Sequence, residues 1–270
     1  MEAFKNYLTE TEKSPLTVEK YLRDAGCFLS WLKGRQITKT QTMAFKDWLI
    51  GRYAPVSVNS MLSSLNCYLR FLGLESCRVK ILKTQRAAYC PTEKMLTRRE
   101  YERLLQAAKG DETLQLLMQT ICSTGIRVSE HRFITVEAAK RGEALVRCKG
   151  KVRTVLLPRK LCKALLTYAK DAGIRSGSVF VTSGGKPMDR SRIWARMKRL
   201  CAEAKVSSEK VFPHNLRHLF ARTYYSMEKD IIRLADILGH SNVNTTRIYT
   251  VENGITHRRQ IEKMPLLLIT

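Results

Sequence analysis

His214 and Arg217 stand three residues apart in the run His214-Asn215-Leu216-Arg217-His218. On a helix that spacing puts both side chains on one face. An imidazole beside a guanidinium suits one phosphate: the arginine fork takes two oxygens, and the histidine donates a hydrogen bond or accepts a proton. Further on, Leu234-Ala235-Asp236-Ile237-Leu238-Gly239-His240-Ser241 reads as an apolar helix stopped by glycine, with His240 just beyond the stop. Tyr249 follows nine residues later in Asn244-Thr245-Thr246-Arg247-Ile248-Tyr249-Thr250. Upstream, Ser123-Thr124-Gly125-Ile126-Arg127-Val128-Ser129-Glu130 places Arg127 after a glycine turn, at the start of a helix. Singly, each has an ordinary explanation. His-x-x-Arg pairs arise by chance in a basic chain, a lone tyrosine is usually a packing residue, and a lone arginine usually lies at the surface.

Composition narrows the chemistry. The 270 residues carry 48 Lys+Arg against 24 Asp+Glu, a formal net charge of +24. A surplus of that size implies an anionic partner, double-stranded nucleic acid first among them. The apolar fraction of 44% is enough to build a core, which excludes wholesale disorder. No apolar run is long enough to cross a membrane. The start, Met1-Glu2-Ala3-Phe4-Lys5, lacks an apolar signal core, so a cytoplasmic location is expected. Cys27, Cys67, Cys77, Cys90, Cys122, Cys148, Cys162 and Cys201 form no Cys-x-x-Cys pair, so reduced core thiols are expected, with no zinc site or disulfide framework. A phosphate-binding ATPase loop is excluded at Gly185-Lys186, because Pro187 follows and Phe180 occupies the place of the first glycine.

The elements that must position these residues fall into two regions. Residues 1–76 hold 10 basic and 7 acidic residues, a net of +3, while the remainder holds 38 and 17, a net of +21. The first region reads as a four-helix bundle. One helix runs through Phe4 and Leu8, and a second starts at the Ser14-Pro15 cap with Val18, Tyr21, Leu22, Ala25, Phe28, Leu29 and Leu32 inside. A third carries Phe45, Trp48 and Leu49 and is broken by Pro55; a fourth, capped by Ser57, buries Val58, Met61, Leu62, Leu65, Leu69 and Leu72. Residues 77–96 read as an extended basic linker crossing a phosphate backbone. Residues 97–270 form the second domain. Thr97 caps its first helix, and another ends before Gly125. Two strands, Ala144 to Cys148 and Val152 to Leu157, flank Lys149-Gly150-Lys151. Helices are expected at 159–171, 189–205, 214–227, 230–238 and 244–251, and a further strand at Val179-Phe180-Val181. Arg190, Arg192, Arg196, Lys198 and Arg199 lie outside the apolar stripe of the 189–205 helix and read as a phosphate-contacting face.

The segments Thr124-Gly125-Ile126-Arg127-Val128-Ser129-Glu130, Cys148-Lys149-Gly150-Lys151, His214-Asn215-Leu216-Arg217-His218, Leu238-Gly239-His240-Ser241 and Tyr249 occur in one order. As a set they resemble the tyrosine recombinases, the phage-type integrases that include the Xer enzymes, over nearly the whole chain. The resemblance implies a mainly α fold with a small β-sheet: an N-terminal SAM-like, core-binding bundle and a mixed α+β catalytic domain. It implies that Arg127 and Arg217 grip the non-bridging oxygens of a scissile phosphate and that His240 adds a hydrogen bond. His214 would assist proton transfer at the tyrosine, and Lys149, preferred over Lys151, would protonate the leaving 5′ oxygen. Tyr249 would attack phosphorus to give a 3′-phosphotyrosyl link. A phenol with pKa of about 10 is a poor nucleophile until a neighbour takes its proton and cations stabilise the developing charge. Two guanidiniums, an ammonium and two imidazoles supply that charge without a metal or cofactor.

The implied function is site-specific DNA recombination by a homo-tetramer on duplex DNA, through a Holliday junction, integrating or excising a mobile element. A Xer-type enzyme resolving chromosome dimers, a type IB topoisomerase and a non-catalytic DNA-binding regulator are the alternatives. The chain departs from the family pattern at His131, where an apolar residue is usual, and at Ala138-Ala139-Lys140, where aspartates are frequent and Glu137 is the nearby acid. No arm-binding domain is expected before the bundle. His218 reads as a packing or supporting histidine, Tyr224 and Tyr225 as packing residues, and His257 as solvated in a basic tail. The apolar end Met264-Pro265-Leu266-Leu267-Leu268-Ile269 is expected to dock, on a neighbouring protomer in preference to its own domain.

Overall fold

A computed structural model describes residues 1–83, 95–148, 151–182, 184–240 and 242–249. The chain divides into two compact units, Met1–Arg86 and Ala87–Thr270.

In the first unit, α1 (Glu2–Glu10), α2 (Pro15–Leu32), α3 (Lys39–Ile50) and α4 (Pro55–Phe71) form the helices. Apolar residues at helical spacing face inward: Phe28 and Leu32 of α2, Phe45 and Leu49 of α3, and Val58, Leu62, Leu65 and Leu69 of α4 make one core. Phe4 and Leu8 of α1 close a second cluster with Val18, Ala25 and Tyr68. Ser14 caps α2 with Pro15 at its first position. At α4, Pro55 takes the first helical position and Ala54 the cap, with no side-chain hydrogen bond. Ser57 is therefore inside the helix rather than capping it, because proline's fixed φ and missing N–H suit the first turn. Leu72, expected inside, follows the last turn and is exposed. Residues 78–83 run without regular structure along α3 and α4. The Asn66 side chain both donates to the Val79 carbonyl and accepts from its N–H, and Asn59 does the same at Leu82.

The second unit contains α5 (Arg98–Ala107), α6 (Glu112–Thr124), α7 (Val136–Arg141), β1 (Glu143–Cys148), β2 (Lys151–Leu156), α8 (Arg159–Asp171), α9 (Arg190–Ala204), α10 (Pro213–Glu228) and α11 (Ile231–Leu238). Thr97 and Glu100 form a reciprocal capping box on α5. Ile121, Ile126, Ile134, Val146, Phe180 and Leu216 sit in its core. The strands pair antiparallel from Glu143 opposite Leu156 to Cys148 opposite Lys151. Lys151 is thus a strand residue, and the connection is Lys149-Gly150, which lies outside the described residues.

Two expected elements differ. Val179-Phe180-Val181 forms no strand: Val181 makes one isolated bridge, to Pro187, and the neighbouring Ser178 makes another, to Thr135. Val179 and Phe180 are both buried, so the run plugs the core instead of alternating across a sheet. Over its described residues, 244–249, the expected 244–251 helix gives way to tight turns at Val243–Thr245 and Arg247–Tyr249. Asn and Thr side chains there bond nearby groups and compete with a helix, as Asn242 does by accepting from the Asn244 N–H at 2.8 Å. The segment from Thr250 onward, with the expected docking tail and His257, lies outside the described residues, as do residues 84–94 of the expected linker.

Candidate active site

α10 is the scaffold of the site. Pro213 starts it, Leu216 and Ala221 are buried, and α6 packs along it. His214, Arg217 and His218 share the remaining stripe, one turn apart. Arg217 is the largest fully buried side chain among the described residues. Its Nη1 donates to the Gly125 carbonyl at 2.5 Å, and its Nη2 donates to the Leu238 carbonyl at 2.8 Å. Those carbonyls close the C-termini of α6 and α11, where the helix dipoles put negative charge, so two helix ends solvate one buried cation. Burial, then repulsion from Arg127, pulls the Arg217 pKa down to about 10, which leaves it protonated at neutral pH.

Both helix ends require glycine. Gly125 and Gly239 each have φ of +65°. A Cβ on Gly125 would stand 2.5 Å from the Phe220 ring, and one on Gly239 would collide with the Arg153 side chain. Each glycine ends its helix in the left-handed conformation and releases the chain toward a candidate site residue, Arg127 after one and His240 after the other.

Arg127 precedes a short 3-10 turn, Val128–Phe133, and is held by Glu130. The Glu130 carboxylate accepts from the Arg127 backbone N–H at 2.8 Å and from its Nη1 at 2.9 Å. Glu130 is almost fully buried, and its second cation is Arg153, whose Nη2 donates at 2.6 Å. His131, the unusual residue, is buried against Phe180 with Nδ1 2.5 Å from the Val128 carbonyl. It faces the core, not the Arg127 side chain, and burial holds its pKa below the ordinary histidine value. Glu137 accepts from the Gly177 N–H, so it ties the α7 start to the 174–178 loop.

His240 Nε2 lies 3.0 Å from Arg217 Nη2, and its Nδ1 lies 2.9 Å from the Thr246 hydroxyl. The guanidinium only donates, so Nε2 is the acceptor and Nδ1–H donates to Thr246. Burial, then the Arg217 and Arg127 charges, lower His240 to about 4, in keeping with the neutral ring. Its ring stacks at 6.1 Å on Tyr249, which is buried and donates its backbone N–H to the Thr246 carbonyl at 2.9 Å. Thr246 thus fixes both the histidine and the tyrosine turn.

His214 opens onto solvent. The surrounding protein, then Arg217, Arg127 and Arg190, hold its pKa below the ordinary value. His218 lies between His214 and Tyr249, 4.4 Å from the one ring and 4.9 Å edge-on from the other. Burial, then His214, lower His218 to about 4. Arg127, Arg217 and His214 also line a cleft of about 630 Å³ with Arg190 and Trp194 of α9. Tyr224 and Tyr225 pack beside Tyr249 on the α10–α11 side.

The site therefore gathers Arg127, His214, Arg217, His240 and Tyr249 from four separate segments. Lys149 lies outside the described residues. The sequence pattern matches as well: residues 94–254 match the phage integrase family, and residues 1–76 match its N-terminal SAM-like domain. The chain belongs to the phage integrase family. Relatives of this family member include tyrosine recombinase XerA of Thermococcus kodakarensis, 30% identical over 99% of this chain and 95% of that one. Tyrosine recombinase XerD of Vibrio cholerae is 28% identical over 87% of this chain and 85% of its own length. Among solved structures, a XerA recombinase aligns with TM-score 0.55 and 26% identity over 97% of this chain and 96% of that one. A lambda integrase tetramer bound to a Holliday junction shares the fold, with TM-score 0.70 and 18% identity over 92% and 75%.

Sequence reading missed Arg153 and Thr246, and it left Glu130 and His218 outside the site. Strand parity was the available signal for Arg153: it shares a face of β2 with buried Val155, where a charged residue needs a partner. No spacing rule points to Thr246, whose role depends on how the 242–249 turns fold back on His240.

Proposed function

We propose that this chain is a site-specific DNA recombinase that cuts and rejoins duplex DNA through Tyr249. The observation that carries the reading is the grouping of Arg127, Arg217 and His214 on one cleft, with His240 bonded to Arg217 and Tyr249 stacked on His240. Arg127 and Arg217 take the two non-bridging oxygens and stabilise the charge that grows on them. Phosphate also displaces Arg217 from His240; the neutral ring then takes the other tautomer, with Nδ1 accepting from the Thr246 hydroxyl and Nε2–H donating to the phosphate. The Tyr249 hydroxyl attacks phosphorus, its proton passing to the neutral His214–His218 pair. The phosphorus–O5′ bond breaks, and the 5′ oxygen leaves with a proton from Lys149. Attack by a 5′ hydroxyl on the phosphotyrosine reverses each transfer, so strand joining needs no nucleotide energy source.

The working form is a homo-tetramer holding two duplexes, with the apolar C-terminal tail docked on a neighbour. The net charge of +24 supports tight, salt-sensitive binding, with a log–log slope of about −0.9 per phosphate neutralised. Integration or excision of a mobile element is the first biological reading. A Xer-type role in resolving chromosome dimers is favoured by the XerA and XerD relatives, which match over most of their own lengths.

Covalent trapping tests the reaction. Nicked duplexes tiling the DNA beside the gene, and a second set tiling the chromosome terminus, are incubated with the protein in EDTA. A denaturing gel shows an adduct, mass spectrometry places it on Tyr249, and Tyr249→Phe removes it. An adduct on another tyrosine overturns the site. Sites beside the gene favour the mobile element, and terminus sites favour the Xer role.

A further inference from the structure

Arg153 belongs to neither helix end nor motif turn, yet it touches three parts of the site. It sits on the inner face of β2, opposite Val146. Its Nη2 donates to Glu130 Oε2 at 2.6 Å, on the carboxylate that also holds Arg127. Its Nη1 donates to the Ile237 carbonyl at 2.9 Å, next to the Leu238 carbonyl that receives Arg217. Its stem lies over Gly239, filling the space a Cβ would need, one residue before His240. Two arginines therefore share the C-terminus of α11, and two arginines share one buried carboxylate.

We propose that Arg153 is a positioning residue for strand cleavage. It divides the charge of Glu130, so that Arg127 is oriented without being locked in a closed ion pair. It also pins the end of α11, so that Gly239 presents His240 at a fixed height over Arg217. The side-chain exposures fit this division: 14% for Arg153, the fixed member, and 37% for Arg127, the one left to meet phosphate. Without Arg153, Glu130 keeps one cationic partner and closes on Arg127, which must then break a stronger pair to reach the DNA. Lysine is a poor replacement, because a single ammonium at the end of a flexible stem does not span Glu130 and the Ile237 carbonyl. The proposal rests on the recombinase reading for its catalytic consequence, but the structural tie is testable without DNA.

The test compares the parent chain with Arg153→Met and Arg153→Lys. Peptide-resolved hydrogen exchange on free protein is the first arm. Protection is expected to fall in both variants at 127–131 and 235–240 and to stay unchanged in α8. Unchanged protection at 235–240 overturns the tie. The second arm uses a nicked duplex that the parent chain converts to adduct. Both variants should bind it within about twofold, while adduct formation falls on the order of 10²-fold in Arg153→Met, as expected when reacting groups are displaced by about an ångström. Arg153→Lys should fall less. The same duplex with a scissile methylphosphonate lacks the charge that Arg127 neutralises, so the deficit should shrink there. An equal deficit on both substrates, or equal cleavage by all three proteins, overturns the positioning role. A parent chain that makes no adduct on any tile refutes the recombinase reading instead, and the exchange arm still decides the tie.

Discussion

The two units use burial differently. The first is held by aromatic and aliphatic contacts, such as Phe28 against Phe45 at 5.1 Å and Phe4 against Tyr68 at 4.9 Å. Its buried carboxylate, Asp24, is met within the bundle by Lys20 at 2.5 Å and Ser64 at 2.9 Å. The second unit also has an apolar core, but it buries Glu130, His131, Asn215 and Arg217 beside it. Arg217 and Arg153 are satisfied by carbonyls at helix ends, and Glu130 by two arginines. A group held that way is already aimed before substrate arrives, which is what electrostatic stabilisation of a reaction requires. The first unit carries this vulnerability at Asp24; the second carries it at Glu130, Arg153 and Arg217 together, where removing one member strands its partners.

The largest expected effect separates the two kinds of burial. Arg217→Met keeps most of the volume but leaves the Gly125 and Leu238 carbonyls and His240 Nε2 without their donor. It should destabilise the protein in urea unfolding by about 1–3 kcal/mol for each acceptor left buried without a donor. Phe28→Ala, an apolar cavity in the first unit, should cost ~3–5 kcal/mol. The pair is told apart by where protection is lost in hydrogen exchange: around 125 and 235–240 for the first, and in α2–α4 for the second. If Arg217→Met proves neutral, the helix ends do not hold the cation as described.

Acid gives a smaller effect, again on one side only. All five histidines lie beyond residue 130, none in the first unit. His218 and His240 have folded pKa values of about 4, below the ordinary 6.5. Between about pH 6.5 and 4 the unfolded chain binds more protons, so stability is present above this window and lost as pH falls through it. The slope is a fraction of the limiting ~1.4 kcal/mol per pH unit and group, because water reaches part of both rings. Exchange protection, corrected for intrinsic rate, should drop from pH 7 to 5 in the second unit and hold in the first. His218→Asn should flatten the slope.

The smallest pair concerns helix starts. Thr97→Ala removes a capping box and should cost about 1 kcal/mol. Ser57→Ala should be close to neutral, since proline, not serine, opens α4. A Ser57→Ala loss matching that of Thr97→Ala would return the cap to serine.

Much of this was legible in the residues themselves. The helices of the first unit announce themselves through apolar spacing, and α5 and α6 through the Thr97 cap and the Gly125 stop, because helix signals are local. The segments carrying Arg127, His214, Arg217, His240 and Tyr249 were legible too, as an ordered set. The sequence by itself determined which groups are present and that glycine ends the two helices beside them. Only the tertiary structure decided what those helix ends face. Arg217 reaches across 92 residues to Gly125, and Arg153 across 84 to Ile237. The Thr246 hydroxyl finds His240 only because the 242–249 turns fold back over it. A buried charge takes its partners from whatever the fold brings near, and backbone carbonyls, common to every residue, leave no mark in sequence.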